Sequence, residues 1–455
     1  MADRILKILK DVVGQEWASS DRHNLISYTR DMSPYPTKEG EYIVLPGSNE
    51  EISGVLLVAN NNKIPVYMKG AGTTFGGLGI PRSGGIVMDF NRMNKTINID
   101  EKNLLFTCQC GQNVYNSIEQ LRARGLDVPL WPMYGASVPW GSWVNTSASG
   151  MFQFGAGLVW DNLFGMEVVL ATGEIVKVGI NGYANCGPIA RYMAGSDVMG
   201  IFLGASGGMG VCSEITTVIR TVPEAIEFIT LGYQDENIEM MTAALQQIGR
   251  EGVAGEVSIA DDGAAHLVDV DIPARVLLMV YADGTLEQAD YGGRVVRRIL
   301  KETGAVEIEF PIGQIFHQNN ALLGSMTKKY GGGMDCLSSF ASSYESFAGM
   351  FRQYKEIYDK YGMFNMWYAW VMNGYILHFP WVAYPEHDPD FRQTAREIRD
   401  QVYDQWFTTP NVSGGYFGPF PHMIKYLRPT YYELLRRVKR TMDPNNILCP
   451  GMLPW

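Results

Sequence analysis

The feature that most constrains this chain is a glycine-rich loop between two short apolar runs. Residues 64–68 and 85–90 are typical of strands, and the loop between them contains Gly70, Gly72, Gly76, Gly77 and Gly79. Glycine lacks a Cβ and accepts positive φ, so successive backbone N–H groups of such a loop can converge on one anion. Thr73 and Thr74 add hydroxyl donors. The loop therefore suits a diphosphate group, with a plain tight turn between strands as the alternative.

Two common nucleotide-binding motifs are absent from this loop. A Walker A loop needs a Gly-Lys-Ser/Thr sequence, and no such lysine follows Gly70. The dinucleotide fingerprint G-x-G-x-x-G needs a glycine at position 75, where the chain has Phe75. The glycine loop alone thus leaves the ligand open.

Three later segments narrow the choice of ligand. They are residues 130–179, which include PWGSWVNTSASG, residues 197–223, and the final residues 443–455, DPNNILCPGMLPW. In this order, the four segments resemble the vanillyl-alcohol oxidase and para-cresol methylhydroxylase superfamily of FAD proteins, which also contains glycolate and D-lactate dehydrogenases. The resemblance covers about residues 40–225 and 430–455 and is faint between them.

The resemblance implies an α+β fold with two domains. Residues 1–225 would form an FAD-binding domain of the vanillyl-alcohol oxidase (PCMH) type, to which residues 430–455 return. Residues 226–429 would form an α+β cap domain for the substrate, and a length of 455 residues agrees with two domains. The FAD contacts implied by the resemblance are Lys69, Gly70, Ala71, Gly72, Thr73, Thr74, Gly76, Gly77, Pro132, Gly135, Ala136, Ser137, Trp140, Gly141, Ser142, Asn145, Ser147, Gly150, Gly155 and Ile215.

The attachment of the cofactor follows from two missing residues. Doubly linked members of the superfamily carry a histidine in the first glycine loop and a cysteine before the second. Here the first loop has Thr73, Thr74 and Phe75, and residues 135–137 are Gly-Ala-Ser. We therefore predict non-covalent FAD, while a single link to a residue of the second domain stays open.

The resemblance implies an FAD-dependent dehydrogenase or oxidase that acts on CH–OH groups. A hydride would pass from a 2-hydroxy acid or an aromatic, benzylic alcohol to flavin N5, and the protein would supply a base for the hydroxyl proton. We predict His378 or His422 as this base, because imidazole titrates near neutrality. Tyr375 and Tyr416 are the alternatives.

Neither branch of the superfamily matches in detail. In the hydroxy-acid branch two histidines and a Glu-His pair hold a divalent metal, but Val371 replaces the first histidine and residues 417–418 are Phe-Gly. His378 alone cannot select a hard cation, so we predict no metal, and the case for a carboxylate substrate weakens. In the vanillyl-alcohol branch, the catalytic acid would fall near Ala148 or Ser149, and the phenolate clamp on residues 419–421.

Aromatic residues are dense in the second domain. Residues 366–370 and 375–381 would alternate along extended strands, so their rings would line a ligand pocket or fill a core, and we favour the core.

Composition limits the partners and the compartment. A net charge of −11 argues against a nucleic-acid partner. There is no stretch of 18 apolar residues, so we predict no membrane span, and the start lacks a signal-peptide core. The six scattered cysteines predict a cytoplasmic protein. The partner is a small-molecule substrate, while the electron acceptor stays open among dioxygen, a quinone and an iron–sulfur or other electron-transfer protein, as does homo-oligomerisation.

Two other functional classes are compatible with parts of the sequence. Residues 204–208 fit G-x-S-x-G, the nucleophile elbow of serine hydrolases, which needs a helix after the motif. Residues 211–222 look like a strand, so a glycine turn that faces the flavin is favoured over a hydrolase. A non-catalytic FAD subunit that transfers electrons within a larger redox complex is the other alternative.

Local patterns predict several elements. Residues 41–45 read as a strand, Ser48 begins a capped helix that runs to about residue 60, and residues 111–124 form another helix. Thr172-Gly173 predicts a hairpin turn. A last helix over residues 430–442 would place Tyr431, Leu434, Leu435, Val438 and Met442 on one buried side.

Overall fold

The computed structural model of the chain describes residues 2–31, 33–74, 76–132, 136–146, 149–192, 195–263, 272–301, 303–318, 332–336, 340–363, 367–413 and 423–452. Helices and strands are mixed, in agreement with the predicted α+β class. No helix in these ranges is long and apolar enough to cross a lipid bilayer.

The N-terminal part is built on a small sheet that carries the first glycine loop. Its strands, in the order β1-β2-β4-β3, are β1 (Ala18–Ser19), β2 (Tyr42–Val44), β3 (Val66–Lys69) and β4 (Ile86–Asp89). β4 runs parallel to β2 and β3, so the loop leaves the carboxyl end of β3, where ligands bind in open α/β sheets. The helices around it are α1 (Ala2–Val13), α2 (Arg22–Tyr28) and α3 (Asn49–Asn62). Ser48 caps α3 as predicted, since its side chain accepts from Glu51 N–H.

A five-stranded antiparallel sheet carries the second set of glycine segments. In the order β5-β6-β10-β8-β9, it contains β5 (Thr96–Asp100), β6 (Leu105–Gln109), β8 (Leu163–Val169), β9 (Ile175–Gly179) and β10 (Val211–Val218). The predicted hairpin is confirmed, because β8 pairs with β9 and Gly173 has φ +86°. Short β7 (Leu126–Asp127) pairs with β11 (Arg220–Thr221). The helices here are α4 (Val114–Arg122), α5 (Trp140–Asn145) and α6 (Gln153–Ala156).

The middle of the chain forms one large antiparallel sheet. Along the order β15-β12-β14-β13-β18-β19-β17-β20, with β16 also paired to β19, its strands are β12 (Ala225–Tyr233), β13 (Glu256–Asp261), β14 (Val276–Gly284), β15 (Val306–Glu307), β16 (Gly332–Cys336), β17 (Phe340–Ser342), β18 (Trp367–Met372), β19 (Tyr375–Pro385) and β20 (Val412–Ser413). The remaining helices are α7 (Ile238–Glu251), α8 (Leu286–Leu300), α9 (Ile312–Gln318), α10 (Tyr344–Lys360), α11 (Pro389–Phe407) and α12 (Pro429–Met442).

The two faces of this large sheet pack against different layers. Side chains alternate along a strand, so neighbours in sequence point to opposite faces. Trp370 and Phe379 belong to the core shared with the five-stranded sheet, which includes Ile215. Trp367 and Ile376 belong to the core shared with α7, α10 and α11. The first face therefore looks toward the glycine segments, and the second is covered by helices.

The end of the chain returns to the first sheet. Val66 N–H donates to the Ile447 carbonyl at 2.7 Å, and Cys449 N–H donates to the Val66 carbonyl at 2.8 Å. The predicted helix α12 is confirmed, but its predicted buried side is partly wrong: Tyr431 and Leu434 are 52% and 49% exposed. The deeply buried side chain of α12 is instead a charged one, Lys439.

Candidate functional site

A cleft lies between the glycine loops and the large sheet. Its empty space is about 1400 Å³, part of it open to solvent, and the residues 70–74, 139–146 and 206–212 contribute to its walls. The large sheet contributes Trp370, Phe379 and Trp381. The predicted cofactor residues that line the cleft are Gly70, Ala71, Gly72, Thr73, Thr74, Pro132, Gly141, Ser142 and Asn145.

Close packing at Gly70 brings the first two glycine segments together. A Cβ at Gly70 would collide with Ser142 Oγ and would lie 2.9 Å from Pro139 Cγ. The next glycine, Gly72, has φ +69°, a conformation that L side chains rarely adopt. The first loop can therefore approach the start of α5 only because residue 70 is glycine, and it takes its conformation at residue 72 only because that residue is glycine as well.

The donors and acceptors in the cleft fit a dinucleotide. The amide groups of residues 71–73 donate to no backbone carbonyl of the described residues, so they are available to phosphate oxygens. Thr74 is held in place by its hydroxyl, which donates to Asp31 Oδ2 at 3.1 Å. Asn145 Oδ1 and Ser206 Oγ, which belong to residues of the same cleft, are buried and have no hydrogen-bond partner among the described residues. A bound group with both donors and acceptors would satisfy these atoms.

The lining of the cleft carries no charged side chain among the residues that the structure describes. Lys69, predicted as a cofactor contact, does not line it. Its Nζ donates to the carbonyls of Tyr28 and Arg30, both at 3.1 Å, and burial lowers the pKa of the ammonium group. Lys69 thus fixes the end of α2, and phosphates in the cleft would be bound by amide and hydroxyl groups.

Other predicted cofactor residues lie behind the lining. The Trp140 indole N–H donates to Ser117 Oγ at 3.0 Å inside the core, and Ile215 pairs with Cys108 between strands. Gly155 does not line the cleft. Its N–H donates to the carbonyl of Gly255, just before β13 of the large sheet, at 3.0 Å.

The rest of the predicted set divides in the same way. A Cβ at Gly150 would collide with the Trp131 carbonyl, and Gly77 packs against Tyr35. Gly76, Ala136 and Ser137 are absent from the lining. Gly135 and Ser147 lie outside the described residues.

Sequence reasoning missed several lining residues. Cys110 and Cys212 place two thiols on the wall, and burial raises the pKa of Cys110 to about 12, so this thiol is neutral. Ser206 and Gly207 also line the cleft; they belong to the glycine turn that the sequence analysis favoured as facing the flavin, but they are not among the predicted cofactor contacts. The Gly204–Gly208 turn leads into β10 and not into a helix, so the serine hydrolase alternative is wrong.

His378 lies on the face of the large sheet that is turned away from the cleft. Phe347, Tyr354, Trp367 and Trp406 surround it, with the Trp367 ring centroid 4.9 Å away. Both ring nitrogens lack a hydrogen-bond partner in the described part of the chain, and burial lowers the pKa of the imidazole to about 3. This placement argues against the predicted role as base, because no substrate in the cleft can reach the ring.

Of the other predicted bases, only Tyr375 belongs to the described residues. Tyr375 begins β19 and is absent from the lining of the cleft. His422 and Tyr416 lie outside the described residues.

A buried lysine joins the C-terminal helix to the cleft. Lys439 Nζ donates to the carbonyls of Gly208 and Leu448 at 2.6 and 2.9 Å and pairs with Asp443 Oδ2 at 2.6 Å. The Asp443 carboxylate also accepts from the amides of Ile447 and Leu448. Through Gly208, this network holds the turn that presents Ser206 to the cleft.

Comparison with known proteins agrees with this geometry. A family model of the FAD binding domain matches residues 40–179, and a model of the C-terminal domain of FAD linked oxidases matches residues 420–453. Glycolate oxidase subunit GlcD of Bacillus subtilis is 23% identical, over 98% of this chain and 95% of that protein. D-lactate dehydrogenase of Archaeoglobus fulgidus is 24% identical over 91% of each chain.

Solved structures show the same fold. p-Cresol methylhydroxylase with substrate bound superposes with a TM-score of 0.86 at 20% identity, over 99% of this chain and 96% of that one. 4-Ethylphenol oxidase from Gulosibacter chungangensis, in its isoeugenol complex, superposes with a TM-score of 0.88 at 16% identity, over 100% and 97%. The predicted fold and the predicted FAD cofactor are confirmed.

We expect Lys439→Met to lower the stability of the protein and to weaken FAD binding. The substitution leaves Asp443 charged and buried without its partner, which costs about 3–5 kcal/mol, and it releases the Gly208 carbonyl. Urea unfolding of the apoprotein and fluorescence titration with FAD measure the two effects.

The matched control is Arg440→Met, one residue further along α12. Arg440 pairs with Glu433 on the exposed side, and such surface pairs contribute at most about 1 kcal/mol. A Lys439→Met protein that unfolds at the wild-type urea concentration would refute the role of this network.

Proposed function

Since this chain is an FAD-dependent oxidoreductase with the fold of the vanillyl-alcohol oxidase and para-cresol methylhydroxylase superfamily, we propose that it oxidises an apolar, ring-bearing alcohol. FAD supplies the hydride acceptor. The observation that carries the proposal is the wall of the cleft on the large sheet, where Trp370, Phe379 and Trp381 face a neutral lining. The protein would bind the substrate between these rings and the flavin site, orient its C–H bond and exclude water.

The ring wall favours one class of substrate over another. Trp370 and Phe379 meet edge to face, with centroids 4.7 Å apart and planes at 85°. Aromatic pairs of this kind contribute about 0.5–1.5 kcal/mol beyond area burial, and a ring-bearing substrate would gain similar contacts. A carboxylate would lose its hydration here without a cation to replace it among the described lining residues.

A second candidate is a 2-hydroxy acid, as the names of the glycolate oxidase subunit and D-lactate dehydrogenase suggest. It would need a cationic partner from outside the described residues. The Bacillus subtilis relative is named as a subunit, which also supports a protein as the electron acceptor of this chain. The same name supports a purely electron-transferring role for this chain within a complex. Rapid flavin reduction by an alcohol would speak for catalysis and against that last role.

We propose that FAD is bound without a covalent bond. Among the described residues the lining contains no histidine, and its two cysteines, Cys110 and Cys212, are buried thiols whose pKa is raised by burial, so neither is an activated nucleophile. We expect acid precipitation to release intact FAD into the supernatant, measured by its absorbance and fluorescence. Flavin that stays with the precipitate would identify a covalent link to another residue.

Anaerobic bleaching of the bound flavin tests the proposed substrate class. We expect benzylic and other aromatic alcohols to bleach the flavin absorbance band at roughly 450 nm at lower concentrations than glycolate or lactate do. Only the aromatic alcohols have a ring that can pack against the rings of the cleft wall. Trp381→Leu should raise the half-saturating concentration of an aromatic alcohol about threefold to tenfold. All assays contain EDTA, since we propose that no metal takes part.

Trp367→Leu is the matched control. Trp367 is a buried tryptophan of the same sheet, but it lies in the core on the opposite face. It should lower stability and leave the half-saturating concentration unchanged. Bleaching by 2-hydroxy acids alone, or activity that returns only after a divalent metal is added, would exclude the proposal.

We propose that the base is His422, with Tyr416 as the alternative, because His378 is turned away from the cleft. We expect His422→Ala to slow flavin reduction by roughly 10²–10⁴-fold while FAD stays bound, the range typical of a positioned general base. His378→Phe is the matched control, since it removes two unpaired buried nitrogens among rings. The flavin of the His378→Phe protein should be reduced at the wild-type rate, and this protein should unfold at a higher temperature than the wild type.

Stopped-flow absorbance measures both rates. A slow His378→Phe protein beside a wild-type-like His422→Ala protein would reverse the assignment. If neither substitution slows reduction, Tyr416→Phe decides whether the tyrosine removes the proton.

A further inference from the structure

A buried carboxyl group crosses from the large sheet to the glycine segments. Glu256 begins β13 and is fully buried, opposite Tyr281 of β14. Its Oε2 accepts from the backbone N–H of Phe152 at 2.6 Å, while Oε1 has no hydrogen-bond partner in the described part of the chain. Phe152 lies directly before α6 and has φ +70°. A side chain of the large sheet thus holds a residue with strained backbone at the start of α6.

The residues beside Phe152 connect this contact to the cleft. Gln153 Oε1 accepts from Gly150 N–H at 3.1 Å, and Met151 exchanges two backbone hydrogen bonds with Trp131. The neighbours of these residues in sequence, Ser149 and Pro132, line the cleft. The turn at residues 149–153 therefore carries the position of Phe152 to the cofactor site.

The surroundings of Glu256 favour its neutral form. Burial raises the pKa of this carboxyl to about 8, against the opposing effect of the backbone amides of Phe152 and Gln153. The negative charge of Asp283 raises it further, although Arg220 pairs with Asp283 at 2.8 Å.

Arg220, which pairs with Asp283, places its guanidinium group 5.0 Å from the centroid of the Phe152 ring, and the remaining titratable groups around Glu256 and Phe152 are uncharged. Tyr281 and Tyr368 flank the carboxyl, and burial raises the pKa of both hydroxyl groups. The ring of His317 packs on Phe152 with centroids 5.5 Å apart, and burial together with Arg122 and Arg220 lowers its pKa to about 4. No cation touches Glu256 among these groups, so its proton is what makes burial tolerable.

We propose that Glu256 is a positioning residue that acts as a protonated carboxyl. In its neutral form it joins the large sheet to the turn at residues 149–153 and so keeps Pro132 and Ser149 in place for FAD. Loss of the proton would leave a buried carboxylate, which is relieved only when the sheet and the turn separate. The cofactor site is therefore coupled to pH through a residue that does not touch the cofactor. The inference rests on FAD binding alone and is independent of the substrate.

The test is FAD binding and the visible circular dichroism of bound flavin between pH 6 and about 9.5, with free FAD measured in the same buffers. Since the turn stays docked for FAD only while Glu256 keeps its proton, FAD binding weakens as the pH rises above the pKa of this carboxyl, about 8. We expect the wild-type dissociation constant for FAD to rise roughly tenfold between pH 7 and 9. Glu256→Gln keeps a neutral acceptor and should bind FAD like the wild type at pH 7, without the rise.

Two further variants complete the test. Glu256→Ala should bind FAD more weakly at every pH, because Phe152 N–H loses its acceptor. Asp283→Asn should move the wild-type transition to lower pH by roughly one unit, because it removes a negative neighbour. If Glu256→Ala does not fold, Glu256→Gln decides alone. The proposal is overturned if Glu256→Gln keeps the wild-type pH dependence, or if Glu256→Ala binds FAD as tightly as the wild type.

Discussion

The cleft depends on the contact between the first glycine loop and the start of α5. At Gly70 the backbone lies so close to Ser142 and Pro139 that no side chain fits. This approach places the amides of residues 71–73, which donate to no backbone carbonyl of the described residues, beside the hydroxyl of Ser142. The turn at Ser206 then closes the same space from a third direction, and Lys439 holds it there from the C-terminal helix. Segments that are far apart in sequence thus form one binding surface through backbone contacts.

Much of the fold could be predicted from sequence because local signals and the global packing agree. Capping and turn chemistry predicts the helix at Ser48 and the hairpin at Thr172-Gly173, and apolar periodicity predicts the helix that ends at Met442. The error on α12 has a physical cause. Its periodic apolar residues include Tyr431 and Leu434, which are exposed, while the buried contact is a charge pair that hydrophobic periodicity cannot detect.

The candidate site was predictable only in part. Glycines that permit close approach were visible, so the residues of the first loop were identified. Alternation along β19 separates His378 from Phe379 and Trp381, but alternation does not tell which set faces the ligand. That choice is made by the helices that cover one face of the sheet, through side chains such as Phe347. Cys110 reaches the cleft because the chain after β6 pairs with Ser213 of β10, and Ser206 because its turn is bonded to the Asn145 carbonyl; both are long-range contacts that local sequence patterns do not encode.

The ionisable groups that support the cleft lie behind its lining. Lys69 is bound by backbone carbonyls, Lys439 is paired with Asp443, and Glu256 is held in its neutral form. Among the described residues the lining itself consists of amides, hydroxyls, thiols, rings and aliphatic side chains such as Leu78 and Val138. In such a low-dielectric space, fixed dipoles can bind a diphosphate without the flexibility of long cationic side chains, whereas an extra unpaired charge on a substrate is costly. The same arrangement makes the framework sensitive at the few buried ionisable groups, because each of them joins two separate segments of the chain and cannot change its charge without moving one of them.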